Sequence, residues 1–147
     1  MSLAIAIIIT ISTFLFMEFI AWSVHKYIMH GFLWSLHKDH HQVNKDKVLQ
    51  KNDYFFLIFA IPSIILIFIG SSELDHTFYI GIGIALYGFA YFVVHEIIIH
   101  QRIRLFRRMN NRYIKGIRMA HKAHHKTLKK YGASSFGMLI VSLKYFK

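Results

Sequence analysis

The chain has 147 residues, enough for one domain, with 55% hydrophobic residues, 16% aromatic residues and a single proline, a balance too apolar for an ordinary soluble domain. Its net charge of +11 does not indicate a nucleic-acid binder, because the 18 lysines and arginines are missing from 1–25 and 54–101 and confined to 26–53 and 102–147. Cysteine is absent, which excludes a disulfide framework, a thiolate metal site and a cysteine nucleophile.

In chain order, residues 3–22 form an apolar stretch with one charge, Glu18. At about 1.5 Å per residue it reaches about 30 Å, the thickness of a hydrocarbon core, so it predicts a transmembrane helix. It lacks a basic leader and a small-residue cleavage site and runs straight into histidines, so it is expected to stay as structure. Residues 54–70 and 78–94 carry no charge and predict a helical hairpin of two shorter spans, with a kink at Pro62. Segment 136–145 is apolar but too short to span. It is expected at the membrane interface or under the site, with a fourth span left open. The fold class is therefore all-α, a multi-pass membrane bundle of about three spans, with 1–147 as a single membrane domain.

The positive-inside rule orients this bundle. Both basic segments, 23–53 and 95–147 with their bordering residues, are expected in the cytoplasm, while the 71–77 turn with Glu73 and Asp75 lies outside together with the N-terminus. The tract Arg102, Arg104, Arg107, Arg108, Arg112, Lys115 and Arg118 is partly this signal. Anionic headgroups are its first expected partner and an acidic electron carrier its second.

Ten of the 11 histidines repeat one pattern twice: His25 and His30 precede His37, His40 and His41, and His95 and His100 precede His121, His124 and His125. Neutral imidazole is the commonest protein ligand for transition metals, and ten ligands exceed what one ion takes. The spacing predicts two metal ions in an all-histidine cage on the cytoplasmic helix extensions, with five ligands from each half. On a helix, i, i+3 and i+4 share a face, so each triplet is expected to aim at a common centre. Members of a five-apart pair diverge by about 140° on a straight α-helix, so either each serves a different ion or a bend lies between them and the site, for which Gly31 is available.

The run from His95 through Glu96 to His100 is one residue too long for H-E-x-x-H, so a zinc-protease helix is not expected. Glu96 reads equally as a surface residue or as a partner orienting His100 through its outer N–H. Glu18, seven residues before His25, reads either as a hydrogen-bond partner of the metal site or as an interfacial acid; Asp39 and Asn44 are open in the same way. His76 stands alone and is expected to be solvated. Imidazole alone leaves iron, cobalt or nickel open, and two redox-active ions beside a bilayer suggest dioxygen chemistry on a lipid-soluble substrate.

The ordered motifs H-x4-H, H-x2-H-H, H-x4-H and H-x2-H-H resemble the membrane fatty-acid hydroxylase superfamily of non-haem di-iron oxygenases. The bacterial β-carotene hydroxylase branch is the most similar, through Lys51, Asn52 and Asp53, Ala120 and His121, and Ser135, Phe136 and Gly137. Glu96 departs from the aspartate usual in that branch. The resemblance implies a monooxygenase acting on C3 of β-ionone rings, from β-carotene through cryptoxanthin to zeaxanthin. It further implies two iron ions held by the ten histidines, dioxygen, a ferredoxin-type electron donor, and an inner-membrane location. Phe14, Phe16, Trp22, Phe89, Tyr91 and Phe92 are available to line a substrate channel, with none assigned. The open alternatives are hydroxylation or desaturation of a fatty acyl, sterol or sphingoid chain on the same cage, and a histidine-rich metal-binding or transport protein.

Overall fold

A computed structural model describes residues 1–42, 49–103 and 105–146. The regular elements are all helical, and no strand occurs among the described residues. α1 (Leu3–Ser23) continues into a π-helical stretch, π1 (Val24–Phe32), and turns at Gly31 into the short α2 (Trp34–His41). A 3-10 turn at Lys51–Tyr54 leads into α3 (Phe55–Gly70), which runs through Pro62 as one element. α4 (His76–Tyr91) returns antiparallel and continues into a second π-helical stretch, π2 (Phe92–Ile99). α5 (Arg112–His125) and a 3-10 turn at Leu143–Phe146 complete the chain.

Three continuous helices are long and apolar enough to cross a membrane: Leu3–Phe32 with 30 residues, Lys51–Gly70 with 20 and His76–Ile99 with 24. At about 1.5 Å per residue the first and third exceed a 30 Å hydrocarbon core. Their surplus turns are π1, which carries His25 and His30, and π2, which carries His95 with His100 as its C-cap. Their flanks expose large apolar side chains such as Ile8, Leu15, Ile64 and Phe68, as a lipid-facing bundle requires. No fourth span occurs among the described residues.

α4 packs between α1 and α3 through small residues. A Cβ on Gly81 would lie 2.8 Å from Ile67, and one on Gly83 would lie 2.6 Å from Thr13. Both glycines let backbones approach more closely than any side chain permits. Ser63 Oγ donates to the Gly81 carbonyl at 2.8 Å across the α3–α4 contact. Asp75 caps α4 by accepting from the Thr77 and Phe78 amides, which fixes the tight hairpin turn.

The amphipathic α5 starts on the Asn111 cap and buries Ile114 and Ile117 against Ile98 of π2. Arg118 ties the intervening segment down by donating to the carbonyls of Ile98 and Met109. Segment 136–145 lies under the site: Oε1 of Glu18 accepts from the amides of Met138, Leu139 and Ile140 at 2.9–3.0 Å, and Oε2 accepts from the Tyr87 hydroxyl at 2.8 Å.

Candidate metal centre

The five-apart pairs converge without a helix break. In a π-helix the backbone bonds run from i to i+5, so residues five apart sit one above the other. The Leu33 amide bonds the Ile28 carbonyl at 3.0 Å, and the His100 amide bonds the His95 carbonyl at 2.9 Å. His25 and His30 therefore face one centre and His95 and His100 another, which corrects the expectation of a 140° divergence. The non-helical backbone of Gly31 (φ −100°, ψ −124°) comes after the pair, where it redirects the chain into α2.

The triplets, by contrast, do not converge. His25, His30, His37, His41 and His124 offer ligand nitrogens that all lie within 4.8 Å of one another, and His40, His95, His100 and His121 form a second such group. Adjacent residues on a helix point about 100° apart, so His40 turns away from His41 toward the second group. His124 does the reverse, leaving α5 for the first group. Each cluster thus draws on both halves of the chain, and it is the expected convergence of each triplet on one centre that does not hold. His125 lies between them, its ring centroid 4.5 Å from that of His41 and 4.4 Å from that of His121.

Outer hydrogen bonds determine which ring nitrogen faces inward. Nδ1 of His25, His30, His41 and His124 meets the carbonyls of Phe136, Lys130, Thr127 and Ser134 at 2.8–3.1 Å. Nδ1 of His37 meets Oδ1 of Asn52 at 2.6 Å, and Nδ1 of His40 meets Oε1 of Gln50 at 3.0 Å. A carbonyl only accepts, so each of these Nδ1 atoms carries the proton and each Nε2 presents a bare lone pair to the centre.

Those lone pairs face one another at short range: His25 and His37, His30 and His41, and His30 and His124 bring Nε2 atoms to 3.1–3.2 Å. The Nε2 atoms of His100 and His121 approach to 2.8 Å. The Nε2 atoms of His40 and His125 are buried with no partner. Unshared lone pairs this close repel unless a cation lies between them. Two imidazoles at right angles on a metal with bonds of about 2.1 Å would hold their nitrogens about 3.0 Å apart. The donor set fits two transition-metal ions.

Around the clusters, Glu96 bonds Nδ1 of His95, not His100, and pairs with Arg102 at 2.8 Å. Asp39 touches no histidine; it accepts from the amides of Lys51 and Asn52 and thereby holds Asn52 against His37. Glu18 makes no hydrogen bond to a histidine and does not reach an outer surface, so both readings of it give way to an anchor for the segment whose Phe136 carbonyl orients His25. Asn44 lies outside the described residues. His76 is exposed at the start of α4, as expected. Sequence reasoning missed Asn52 and Gln50 as orienting groups, and the four orienting carbonyls have no side-chain signature at all. Of the basic tract, Arg102, Arg112 and Arg118 are engaged internally, Arg107, Arg108 and Lys115 are exposed, and Arg104 lies outside the described residues.

Burial keeps the cluster imidazoles beyond the spans neutral. It pushes His41 down to about 4, His125 to about 3 and His37 and His124 to about 2, and it holds His40, His100 and His121 well below the ordinary histidine range. Because the folded values lie below an unfolded value of 6.5, the unfolded chain binds more protons as the solution is acidified. Stability is present above about pH 6.5 and is lost as the pH falls toward 4. The metal-free protein in detergent should therefore melt at progressively lower temperature from pH 7 to pH 4.5, and an unchanged melting temperature would contradict this.

A cavity of about 380 Å³ adjoins the first cluster, with His25 and Asn52 in its wall and Phe55, Phe59, Tyr87 and Met138 among its apolar lining. Of the aromatics available from sequence, Tyr91 and Phe92 line it and Phe14, Phe16, Trp22 and Phe89 do not.

Comparison with known proteins then decides the family. The fatty acid hydroxylase profile matches residues 10–143, nearly the whole chain. The chain belongs to the fatty acid hydroxylase family. This hydroxylase is 40% identical over 132 residues to the β-carotene hydroxylase of Pantoea ananas, covering 90% of the chain and 75% of the relative. It is 37% identical over 134 residues to that of Paracoccus sp. (strain PC1), covering 90% and 82%. The chloroplastic β-carotene 3-hydroxylase 2 of Arabidopsis thaliana is 32% identical over 113 residues, 74% of the hydroxylase and 37% of the plant protein. No solved structure matches it. It is a hydroxylating oxygenase whose histidine clusters suit metal-dependent catalysis.

Proposed function

We propose that this family member hydroxylates C3 of β-ionone rings, converting β-carotene through cryptoxanthin to zeaxanthin. The observation that carries the reading is the apolar cavity among the ends of the three long helices, with His25 of the first cluster in its wall, in a chain that is 40% identical to a β-carotene hydroxylase. An apolar ring can enter from the bilayer and meet the metal centre without passing through water.

The ten histidines are the proposed ligands of two iron ions, His125 being shared between the clusters or completing the second. The ions would supply the activation of dioxygen: substrate, dioxygen, two electrons and two protons give the alcohol and water, with the electrons from a ferredoxin-type donor. The residues of the chain do the rest. Asn52, Gln50, Glu96 and the four backbone carbonyls hold the imidazole planes, and Phe55, Phe59 and Tyr87 exclude water from the ring. Residues 1–147 act as one integral membrane domain. The confinement of lysine and arginine to the two histidine-bearing segments supports a cytoplasmic site, an outer N-terminus and insertion in the inner membrane.

The test is pigment chromatography after expression in bacteria that accumulate β-carotene. Zeaxanthin and cryptoxanthin are the expected products. Unchanged β-carotene beside membrane-inserted, iron-loaded protein overturns the carotenoid reading and directs the assay to acyl and sterol substrates.

A further inference from the structure

Three glycines on α4 have different surroundings. Gly81 and Gly83 are required by packing, since a Cβ at either position would press into α3 or α1. Gly88 is not: a Cβ there would meet nothing within 4 Å. Glycine is among the poorest helix formers, so a glycine inside a helix without a packing partner needs another reason. Gly88 lines the cavity, together with Phe92 one turn on and Glu96 one turn beyond that. Gly88 and Phe92, one α-helical turn apart, and Glu96 farther along π2 thus mark the cavity side of the helix that leads toward the histidine clusters.

We infer that Gly88 is a specificity-determining position: its missing side chain leaves the passage through which a rigid apolar chain extends from the cavity into the bilayer while its ring end lies at the metal clusters. The inference rests on the carotenoid reading. A cavity of about 380 Å³ is near the lower end of the range that encloses a drug-sized ligand, roughly 300–1,000 Å³. It takes the ring and the first part of the polyene, and the remainder must leave past α4. A conjugated chain cannot fold back to avoid an obstruction. A branched side chain at 88 would therefore stop a long substrate and leave a short one unaffected.

The experiment compares Gly88→Ala and Gly88→Leu with Ala85→Leu, a change at an exposed position of the same helix outside the cavity lining. Each variant is measured for β-carotene conversion, β-carotene retained by the purified protein, metal content, melting temperature and conversion of β-ionone, the ring with a short stub of chain. Gly88→Leu should lose conversion and retention of β-carotene by about tenfold or more, the scale on which one misplaced hydrocarbon group acts in an apolar pocket. Its β-ionone conversion, metal content and melting temperature should stay near those of the parent. Gly88→Ala should fall between, and Ala85→Leu should behave as the parent. Parental retention and turnover of β-carotene by Gly88→Leu would overturn the assignment, as would an equal loss of β-ionone conversion. If the parent chain itself ignores β-carotene, the proposed function fails separately. Gly88 is then scored on the apolar lipid that co-purifies with the parent: retention by Gly88→Leu overturns the passage, and loss supports it.

Discussion

His40→Ala should reduce hydroxylation to below about 1% of the parent and leave one bound metal ion in place of two. Losing a group that merely orients a ligand costs roughly 10–100-fold in affinity or activity, and His40 stands inside the cluster itself. It is buried, its ring lies 4.8 Å from that of His95 and 4.5 Å from that of His100, and its Nδ1 is held by Gln50. The crossed arrangement makes a sharper claim about stoichiometry. His40→Ala combined with His100→Ala should still retain one ion, because both residues belong to the same cluster. His40→Ala combined with His37→Ala should retain none, although the two residues are neighbours on α2. Metal analysis of the two double variants decides between this arrangement and one in which each triplet serves a single ion. His124→Ala should mirror His40→Ala on the first cluster, while His76→Ala should leave activity and metal content unchanged. Full activity in His40→Ala or His124→Ala would falsify the shared cage.

Glu18→Ala should destabilise the fold by about 3–5 kcal/mol and lower hydroxylation more than tenfold. The carboxylate is buried and accepts four hydrogen bonds, three from consecutive backbone amides and one from Tyr87. Each buried donor left without an acceptor costs roughly 1–3 kcal/mol, and the contributions do not add fully. The loss would spread from the span to the metal centre through a short chain of contacts. Met138 and Phe136 line the cavity, and the Phe136 carbonyl holds the His25 ring. Glu18→Gln keeps an oxygen for the three amides and turns its NH₂ toward the Tyr87 oxygen, so it should retain most of the stability. Thermal unfolding in detergent and protease cleavage within 126–146 measure the loss of stability, and product analysis measures the loss of hydroxylation. A Glu18→Ala protein that melts with the parent and resists cleavage as well would remove this anchor from the account.

The consequence for regulation of the site is that its rigidity comes from the C-terminal segment as much as from the spans. Thr127, Lys130, Ser134 and Phe136 supply four of the carbonyls that fix imidazole tautomers, and Glu18 holds the end of that segment. Backbone acceptors of 127–136 thus hold the histidine clusters from one side, opposite side chains of the spans and α2.

Composition, charge distribution and histidine spacing determined by themselves that this is a helical chain with three apolar segments long enough to span a membrane and ten histidines suited to metal, because apolar length and ligand type are properties of single residues in order. The ten histidines and the three spans were legible for that reason, and the ordered motifs resembled the family to which the chain belongs. Which histidine joins which cluster was not legible. The π-helical register that aligns His25 with His30 and His95 with His100 arises from backbone bonding that no residue type announces, and the crossing of His40 and His124 depends on how α2 and α5 face each other. The roles of Asn52 and Glu18, and the empty space beside Gly88, likewise follow from what distant segments place next to them. Only the tertiary structure decided these, since direction and neighbourhood exist only once the helices are packed.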